Sequence, residues 1–166
     1  MLDKSDPRRV MQKDIQSLSR EAKYLNGLPP DQVLSMLSHG SATHFPQGAI
    51  ILSEGSPIEE VYVVQHGLAV AGMYKEVDPA LWLYVAGPQS VLDPCALLDP
   101  PVSVVTVKAL TDVEAIAIPR DVFVKIMRQE PSVGFQVLQD LASRLVLINM
   151  VALKELGQEH PGPSLN

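Results

Sequence analysis

The side chains best placed for chemistry in this sequence lie in one stretch, residues 87–109. Within it, an aspartate followed by a proline is typical of a helix start, with Asp93 as the N-cap and Pro94 at the first helical position. The free amides and the dipole of a helix N-terminus favour an anion. The carboxylate of Asp93 would fill that position itself, while Ser103 and Thr106 offer hydroxyl groups but no positive charge.

Histidine and cysteine are the other residues that could carry chemistry. His39, His44, His66 and Cys95 could hold a metal or haem, yet no pair of them has the spacing Cys-x-x-Cys or His-x-x-x-His. A thiol near a helix N-terminus can have a lowered pKa, but the neighbouring Asp93 opposes this, so Cys95 is predicted to be a small buried residue. No Ser/His/Asp order, phosphate loop or paired-acid motif stands out, and the sequence predicts neither an enzyme nor a cofactor.

Residues 87–109 resemble the phosphate cassette of the cyclic-nucleotide-binding-domain superfamily, of the catabolite-activator and FNR type. The matching residues are Gly87, Pro88, Ala96, Leu97, Leu98, Thr106, Val107 and Ala109. The second glycine of the family pattern falls on Asp93, the ribose-holding glutamate on Pro94, and the phosphate-holding arginine on Ser103. The resemblance therefore implies the family fold with a degenerate ligand site.

The resemblance extends over roughly residues 28–157. Residues 48–55 and 62–67 resemble the opening strands and turns of the family's β-roll, residues 115–123 its last strand and following helix, and residues 141–145 the long helix after that. The positions that would line the degenerate pocket are Asp93, Pro94, Cys95, Ala96, Ser103, Thr106 and, by resemblance to the helix position that closes over the base, Asn149.

Hydrophobic patterning supports an α+β fold in which an antiparallel, jelly-roll-like β-roll is flanked by N-terminal helices and a C-terminal helix pair. Short runs separated by glycine, proline and aspartate predict strands, with no helix of ten or more residues between them. The predicted strands are Ala49–Ser53, Glu60–Gln65, Leu68–Met73, Ala80–Val85, Val102–Ala109 and Val113–Ile118. The predicted helices lie within residues 8–26, at 32–38 with Asp31 as N-cap, from Pro119 to about Arg128, and over about 132–156.

The last predicted helix is apolar on more than one face. Its residues at coiled-coil spacing are Leu138, Leu141, Leu145, Ile148 and Ala152. A helix that only covered its own roll would need one apolar stripe, so this pattern predicts a homodimer, which the resemblance also implies. The alternative is that the whole helix belongs to the core of one subunit.

Length, composition and charge limit the number of domains, the compartment and the partners that can be expected. The chain has 166 residues, of which 46% are hydrophobic, with a net charge of −6 and one cysteine. These values favour one compact domain in a reducing, cytoplasmic compartment, and the absence of a basic cluster disfavours direct nucleic-acid binding. No secretion signal appears, and no apolar run approaches the roughly 20 residues that span a bilayer.

Three organisational units are predicted: an N-terminal helical segment (1–27), a cyclic-nucleotide-binding-like domain (28–157) and a flexible tail (158–166). Regulators of the family it resembles continue after this domain into a DNA-binding helix-turn-helix, which this sequence lacks. Either it is a stand-alone effector domain, which the start at Met1 favours, or it is part of a longer protein.

The predicted function is that of a non-catalytic regulatory module that does not bind cyclic AMP or cyclic GMP and acts through dimerisation and an unidentified protein partner. One alternative is a sensor whose pocket takes another small molecule, such as a modified or cyclic dinucleotide or haem. A further alternative is a two-component arrangement in which a separate chain supplies the output.

Overall fold

In the computed structural model, which describes residues 28–73 and 81–155, two antiparallel sheets pack face to face and helices cover one side. The strands are β1 (Ser41–Phe45), β2 (Ile50–Leu52), β3 (Glu60–His66), β4 (Ala69–Met73), β5 (Leu81–Ala86), β6 (Val91–Leu92), β7 (Thr106–Ala109) and β8 (Val113–Pro119). The helices are α1 (Pro30–Leu37), α2 (Arg120–Gln129) and α3 (Pro131–Glu155), with a short 3-10 helix at Pro94–Leu97. The predicted α+β roll is confirmed.

Each sheet has four strands, in the orders β1-β8-β3-β6 and β2-β7-β4-β5. Alternation of buried and exposed residues along β8 sends Val113, Ala115 and Ala117 inward, as expected for a strand with one buried face. Side chains from both sheets, among them Val64 and Val107, form one apolar core between the layers. Each described strand pairs antiparallel with its neighbours, in agreement with the absence of intervening long helices.

A second apolar cluster attaches the helices to the outside of the sheet that contains β3. Phe123 of α2 and Val133 and Val137 of α3 are buried against Val61 and Val63 of β3. The first turn of α3 packs closely against the end of α2. At Gly134, a Cβ would lie 3.1 Å from the Met127 carbonyl oxygen. This cluster sets the angle at which α3 runs past the roll.

The structure corrects several predicted elements. Asp31 is not an N-cap: α1 begins at Pro30, and Pro29 precedes it without a side-chain cap. The strand predicted from Val102 begins only at Thr106, because the segment before it turns and Val102 forms an isolated bridge with Pro57.

Strands β1 and β6 were missed, the first because its sequence, Ser-Ala-Thr-His-Phe, has no β-branched apolar run and the second because it has only two residues. The segment 1–27, the tail 158–166, the end of the last helix at 156 and the start of a strand at Ala80 lie outside the described residues.

None of the helices in residues 28–73 and 81–155 has the length and apolarity required to cross a membrane.

Candidate functional site

The cassette begins its 3-10 helix as the sequence predicts. Asp93 is the N-cap, its carboxylate Oδ1 accepts a hydrogen bond of 3.1 Å from the amide of Cys95, and Pro94 occupies the first helical position. Asp93 has a φ of 49°, in the left-handed region that glycine prefers and aspartate tolerates better than most residues. This explains how an aspartate can stand where the family pattern carries a glycine.

The Asp93 side chain is buried, with a residue exposure of 1%. Its second oxygen, Oδ2, and the hydroxyl oxygen of Ser90 have no hydrogen-bond partner among the described residues. The protein thus places its own carboxylate where the cassette helix would receive an anion, and Pro94 removes one amide that an anion could use.

The hydroxyl groups of Ser103 and Thr106 form hydrogen bonds within the protein. The Ser103 hydroxyl donates to the Val105 carbonyl at 2.7 Å, and its backbone N–H donates to the Ser56 carbonyl at 3.0 Å. The Thr106 hydroxyl oxygen accepts a hydrogen bond of 3.1 Å from the Glu54 amide. Both hydroxyls therefore stabilise the neighbouring loops.

The other predicted pocket residues are divided between interior and surface. Ala96 is fully buried and Pro94 and Cys95 are half-buried, whereas Asn149 lies on an exposed part of α3. Residues 93–96 therefore lie together in the short helix and its cap, Ser103 and Thr106 contact the loop at residues 54–56, and Asn149 is exposed.

Burial, and after it the adjacent Asp93 carboxylate, raise the pKa of the Cys95 thiol to about 11. The predicted opposition of Asp93 to thiolate formation is confirmed. Because the residue is half-buried rather than enclosed, the prediction of a buried cysteine is only partly met. The thiol is a neutral group at physiological pH.

Arg120, the first residue of α2, holds the other end of the cassette helix. Its Nε donates to the Ala96 carbonyl at 2.8 Å and its Nη2 donates to the Leu98 carbonyl at 3.1 Å. These are carbonyls at the C-terminal end of the short helix, where a cation is favourable. The side chain thereby ties the cassette to the helix pair.

An arginine from α3 enters the same region, and it was not among the predicted site residues. Arg144 is 3% exposed, and its Nη2 donates to the Val91 carbonyl at 2.7 Å. Its Nε donates to Asp140 Oδ1 at 3.0 Å, and its guanidinium carbon lies 4.5 Å from the centre of the Tyr84 ring. The signal available was an aspartate and an arginine four residues apart, which normally marks an exposed helical ion pair.

Tyr84 lies among these charges. Burial raises the pKa of its hydroxyl to about 12; the positive charge of Arg144 opposes the rise, and the carboxylates of Asp93 and Asp140 add to it. We refer to Tyr84, Asp93, Asp140 and Arg144 as the polar cluster. It connects β5, the cassette and α3.

The opposite side of α3 is apolar and exposed. We call its large hydrophobic residues the outer face; they are Phe135, Leu138, Leu145, Val146 and Met150. Leu138 is 59% exposed and Leu145 60% exposed, whereas Leu141 packs partly against the core of its own chain. Ile148 and Ala152 lie on the helix, but their side chains are outside the described residues. The predicted coiled-coil residues thus divide between two sides of the helix.

His39, His44 and His66 are exposed on the surface. Within the described part of the chain, no group of three or more histidine, cysteine or acidic side chains is placed to hold a metal ion. The expectation that the protein uses no metal or haem stays a prediction.

Residues 42–130, more than half of the chain, match the family model described as the cyclic nucleotide-binding domain. The chain belongs to that family. Among curated proteins it is similar to the CRP-like cAMP-activated global transcriptional regulator of Mycobacterium tuberculosis, with 23% identity over 124 residues. That match covers 75% of this chain and 55% of the relative, so this member of the family spans about half the length of the curated relatives it matches.

Solved structures agree on the fold of this cyclic nucleotide-binding domain. The catabolite activator protein of Thermus thermophilus is 25% identical with a TM-score of 0.67, covering 81% of this chain and 62% of the other. A c-di-GMP-responsive global regulator of Xanthomonas campestris is 16% identical with a TM-score of 0.67, covering 74% and 62%. The matched proteins named here are regulators rather than enzymes, which supports a regulatory, sensory family.

Proposed function

We propose that this domain is a regulatory module whose nucleotide niche is filled by its own side chains, and that it acts through a homodimer and a protein partner instead of through cyclic AMP or cyclic GMP. The observation that carries the proposal is the buried carboxylate of Asp93 at the start of the cassette helix. A cyclic phosphate placed there would meet a like charge in a desolvated setting, which is unfavourable.

The energetic argument rests on three cassette positions. Asp93 adds a repelling charge, Pro94 lacks both an amide proton and a ribose-binding carboxylate, and Ser103 carries no cation and already bonds Val105. Loss of one charge-assisted contact costs about 1.5–3 kcal/mol, and each 1.4 kcal/mol is a factor of ten in affinity. Several such losses move micromolar binding towards the millimolar range.

Isothermal titration calorimetry with cyclic AMP and cyclic GMP tests this part of the proposal. We expect no dissociation constant tighter than about 100 μM for the unmodified protein. Low-micromolar binding that disappears in Ser103→Asp but persists in Ser41→Asp, an exposed control on β1, would mean that the domain is a true nucleotide receptor.

The dimer part of the proposal rests on the outer face. Five large apolar side chains on one side of α3 are exposed, and a large exposed apolar surface is characteristic of an interaction site. Leu138 and Leu145 are seven residues apart, as a coiled-coil pairing with a second copy requires. We assign this face to the homodimer, and the protein partner to surfaces of the roll or of the paired helices.

A second candidate function is that of a sensor for another small molecule. It is favoured by Asp93 Oδ2 and Ser90 Oγ, buried polar atoms without a hydrogen-bond partner among the described residues, which a ligand could supply. One structural neighbour is named as c-di-GMP-responsive, so a cyclic dinucleotide is among the ligands to test. Native mass spectrometry of freshly purified protein separates the two functions, because it reports both the oligomer and any retained ligand.

Three further expectations belong to the proposal. The module does not bind DNA directly, since its net charge is −6 and no basic cluster appears in its sequence. It is cytoplasmic and non-enzymatic. Its domain boundaries are residues 28 and 157, of which the family match covers 42–130.

A further inference from the structure

The polar cluster contains the groups that recognise a guanidinium ion, contributed by separate parts of the fold. A carboxylate fork comes from Asp140 on α3, a carbonyl from Val91 on β6 and an aromatic face from Tyr84 on β5. Carboxylates bind the planar guanidinium through two parallel hydrogen bonds, and aromatic rings attract it across their faces.

We propose that Tyr84, Asp140 and the Val91 carbonyl form a guanidinium-binding site, which Arg144 fills from its own helix, and that this occupancy fixes α3 against the roll without a nucleotide. The inference rests on the proposed function for its last clause. The site belongs to the boundary between roll and helix, beside the cassette.

The contacts of Arg144 use the shape of its side chain as well as its charge. Nε and Nη2 face the two oxygens of Asp140, at 3.0 Å to Oδ1 and 2.5 Å to Oδ2, and Nη2 also reaches the Val91 oxygen at 2.7 Å. The ring of Tyr84 covers the guanidinium carbon at 4.5 Å. A lysine has a point charge and no planar fork, so it cannot reproduce these contacts together.

The charge balance favours a cation over a phosphate. Burial raises the pKa of the Tyr84 hydroxyl most, the carboxylates of Asp93 and Asp140 also raise it, and the guanidinium of Arg144 lowers it. Among the described residues, two carboxylates and one guanidinium thus act on this hydroxyl. A cyclic phosphate would be repelled where a guanidinium is held.

One side of the site belongs to the helix and the other to the roll. The binding of the guanidinium therefore depends on the position of α3. Arg144 and Asp140 belong to the helix, and both are 3% exposed, while Val91 and Tyr84 belong to the roll. If α3 moved away, Arg144 would lose the carbonyl and the ring together. A buried ion pair of this kind is costly unless every partner is in place, so it selects one setting of the helix.

Chemical rescue tests the site in the 166-residue chain. Arg144→Ala should lower the melting temperature by about 10 °C, because it leaves a buried carboxylate without its cation. Methylguanidinium chloride at millimolar concentration should then raise the melting temperature of this variant with saturation, and methylammonium chloride at the same ionic strength should not. The unmodified protein, whose site is filled, should show no such rise.

Arg128→Ala is the matched control, since Arg128 is an exposed arginine in the last turn of α2. It should change the melting temperature by no more than about 2 °C and show no rescue. Hydrogen exchange localises the effect: amides around residues 138–146 should exchange faster in Arg144→Ala and regain protection with methylguanidinium. Equal rescue of both variants, or equal stability of both, would overturn the proposal.

Arg144→Lys provides the second variant if Arg144→Ala does not fold. This variant keeps the charge but loses the planar guanidinium. It should therefore be less stable than Arg128→Lys and show faster hydrogen exchange around residues 138–146. Equal behaviour of the two variants would also contradict the guanidinium-binding site. Calorimetry with cyclic AMP on the same samples separates the two proposals. Nucleotide binding by the unmodified protein contradicts the proposed function, whereas failed rescue without nucleotide binding contradicts only the guanidinium site.

Discussion

The two sides of α3 depart in different ways from the usual distribution of residues on a surface helix. The side against the roll buries the charged pair Asp140 and Arg144 beside its apolar residues, whereas the side away from the roll exposes Leu138 and Leu145. An amphipathic helix ordinarily buries its apolar stripe and exposes its charges. The difference indicates two tasks: the inner side specifies where the helix lies, and the outer side presents an apolar surface for another molecule.

The inner side should be the more sensitive of the two to mutation. Asp140→Ala leaves the Arg144 guanidinium buried without its carboxylate and should lower the free energy of unfolding by about 3–5 kcal/mol. Gln139→Ala, at an exposed neighbouring position, should stay within about 0.5 kcal/mol. Urea denaturation measures both. A loss below about 1 kcal/mol for Asp140→Ala would show that the pair does not organise the inner side.

Mutations on the outer side of α3 should change the oligomeric state of the protein rather than the stability of its fold. Leu145→Glu places a charge in the outer face. The protein, which we expect to be a dimer at tens of micromolar concentration, should then form monomers or aggregates, with little effect on the fold of each subunit. Gln129→Glu, at an exposed position at the end of α2, is the control for an added charge. Sedimentation velocity gives the answer, and a monomeric unmodified protein would make the dimer proposal wrong.

Burial and the Asp93 carboxylate also predict a poorly reactive Cys95 thiol. With a pKa of about 11 instead of an ordinary value near 9, Cys95 should react with iodoacetamide roughly 100-fold more slowly than an unfolded-chain cysteine at about pH 8. The rate should rise about tenfold per pH unit, because the thiolate fraction does so below the pKa. Asp93→Asn removes a charge that raises the pKa and should speed the reaction. Equal rates in the folded protein and in urea would contradict the pKa assignment.

The smallest expected signal is binding to DNA. The outer face offers apolar side chains and no phosphate contacts, and the net charge is −6. Fluorescence anisotropy with random duplexes at physiological salt should show no saturable binding tighter than about 10 μM. Salt-sensitive binding below that value would assign a basic surface to the folded dimer and change the interpretation of the outer side.

Much of the fold followed from local pattern, and the least predictable feature was the rotation of α3. Glu60–Gln65 is a short β-branched run, which predicts a strand, and the Asp93-Pro94 pair predicts a helix start, so both were predicted from a few adjacent residues. Asp140 and Arg144 have the spacing of a solvated ion pair, and their burial depends on how Phe123 and Val133 set the helix angle. Such a setting arises from contacts between distant segments, which one sequence does not reveal.

The predicted coiled-coil residues lie on two sides of α3 for the same reason. A 3,4 repeat identifies a stripe but not which neighbour it meets, and Leu141 turns towards its own roll while Leu138 and Leu145 face outward. Phe135 was absent from the prediction because it lies one turn before the repeat begins. The partner of the outer face therefore stays a prediction, to be decided by the assembly experiment above.

The hydrogen bonds from Arg120 reach only the backbone of the cassette. Its guanidinium donates to the Ala96 and Leu98 carbonyls, so the short helix stays joined to α2 whatever side chain stands at position 93. A substitution of Asp93 therefore changes the charge at the start of the cassette helix without removing its connection to the helix pair.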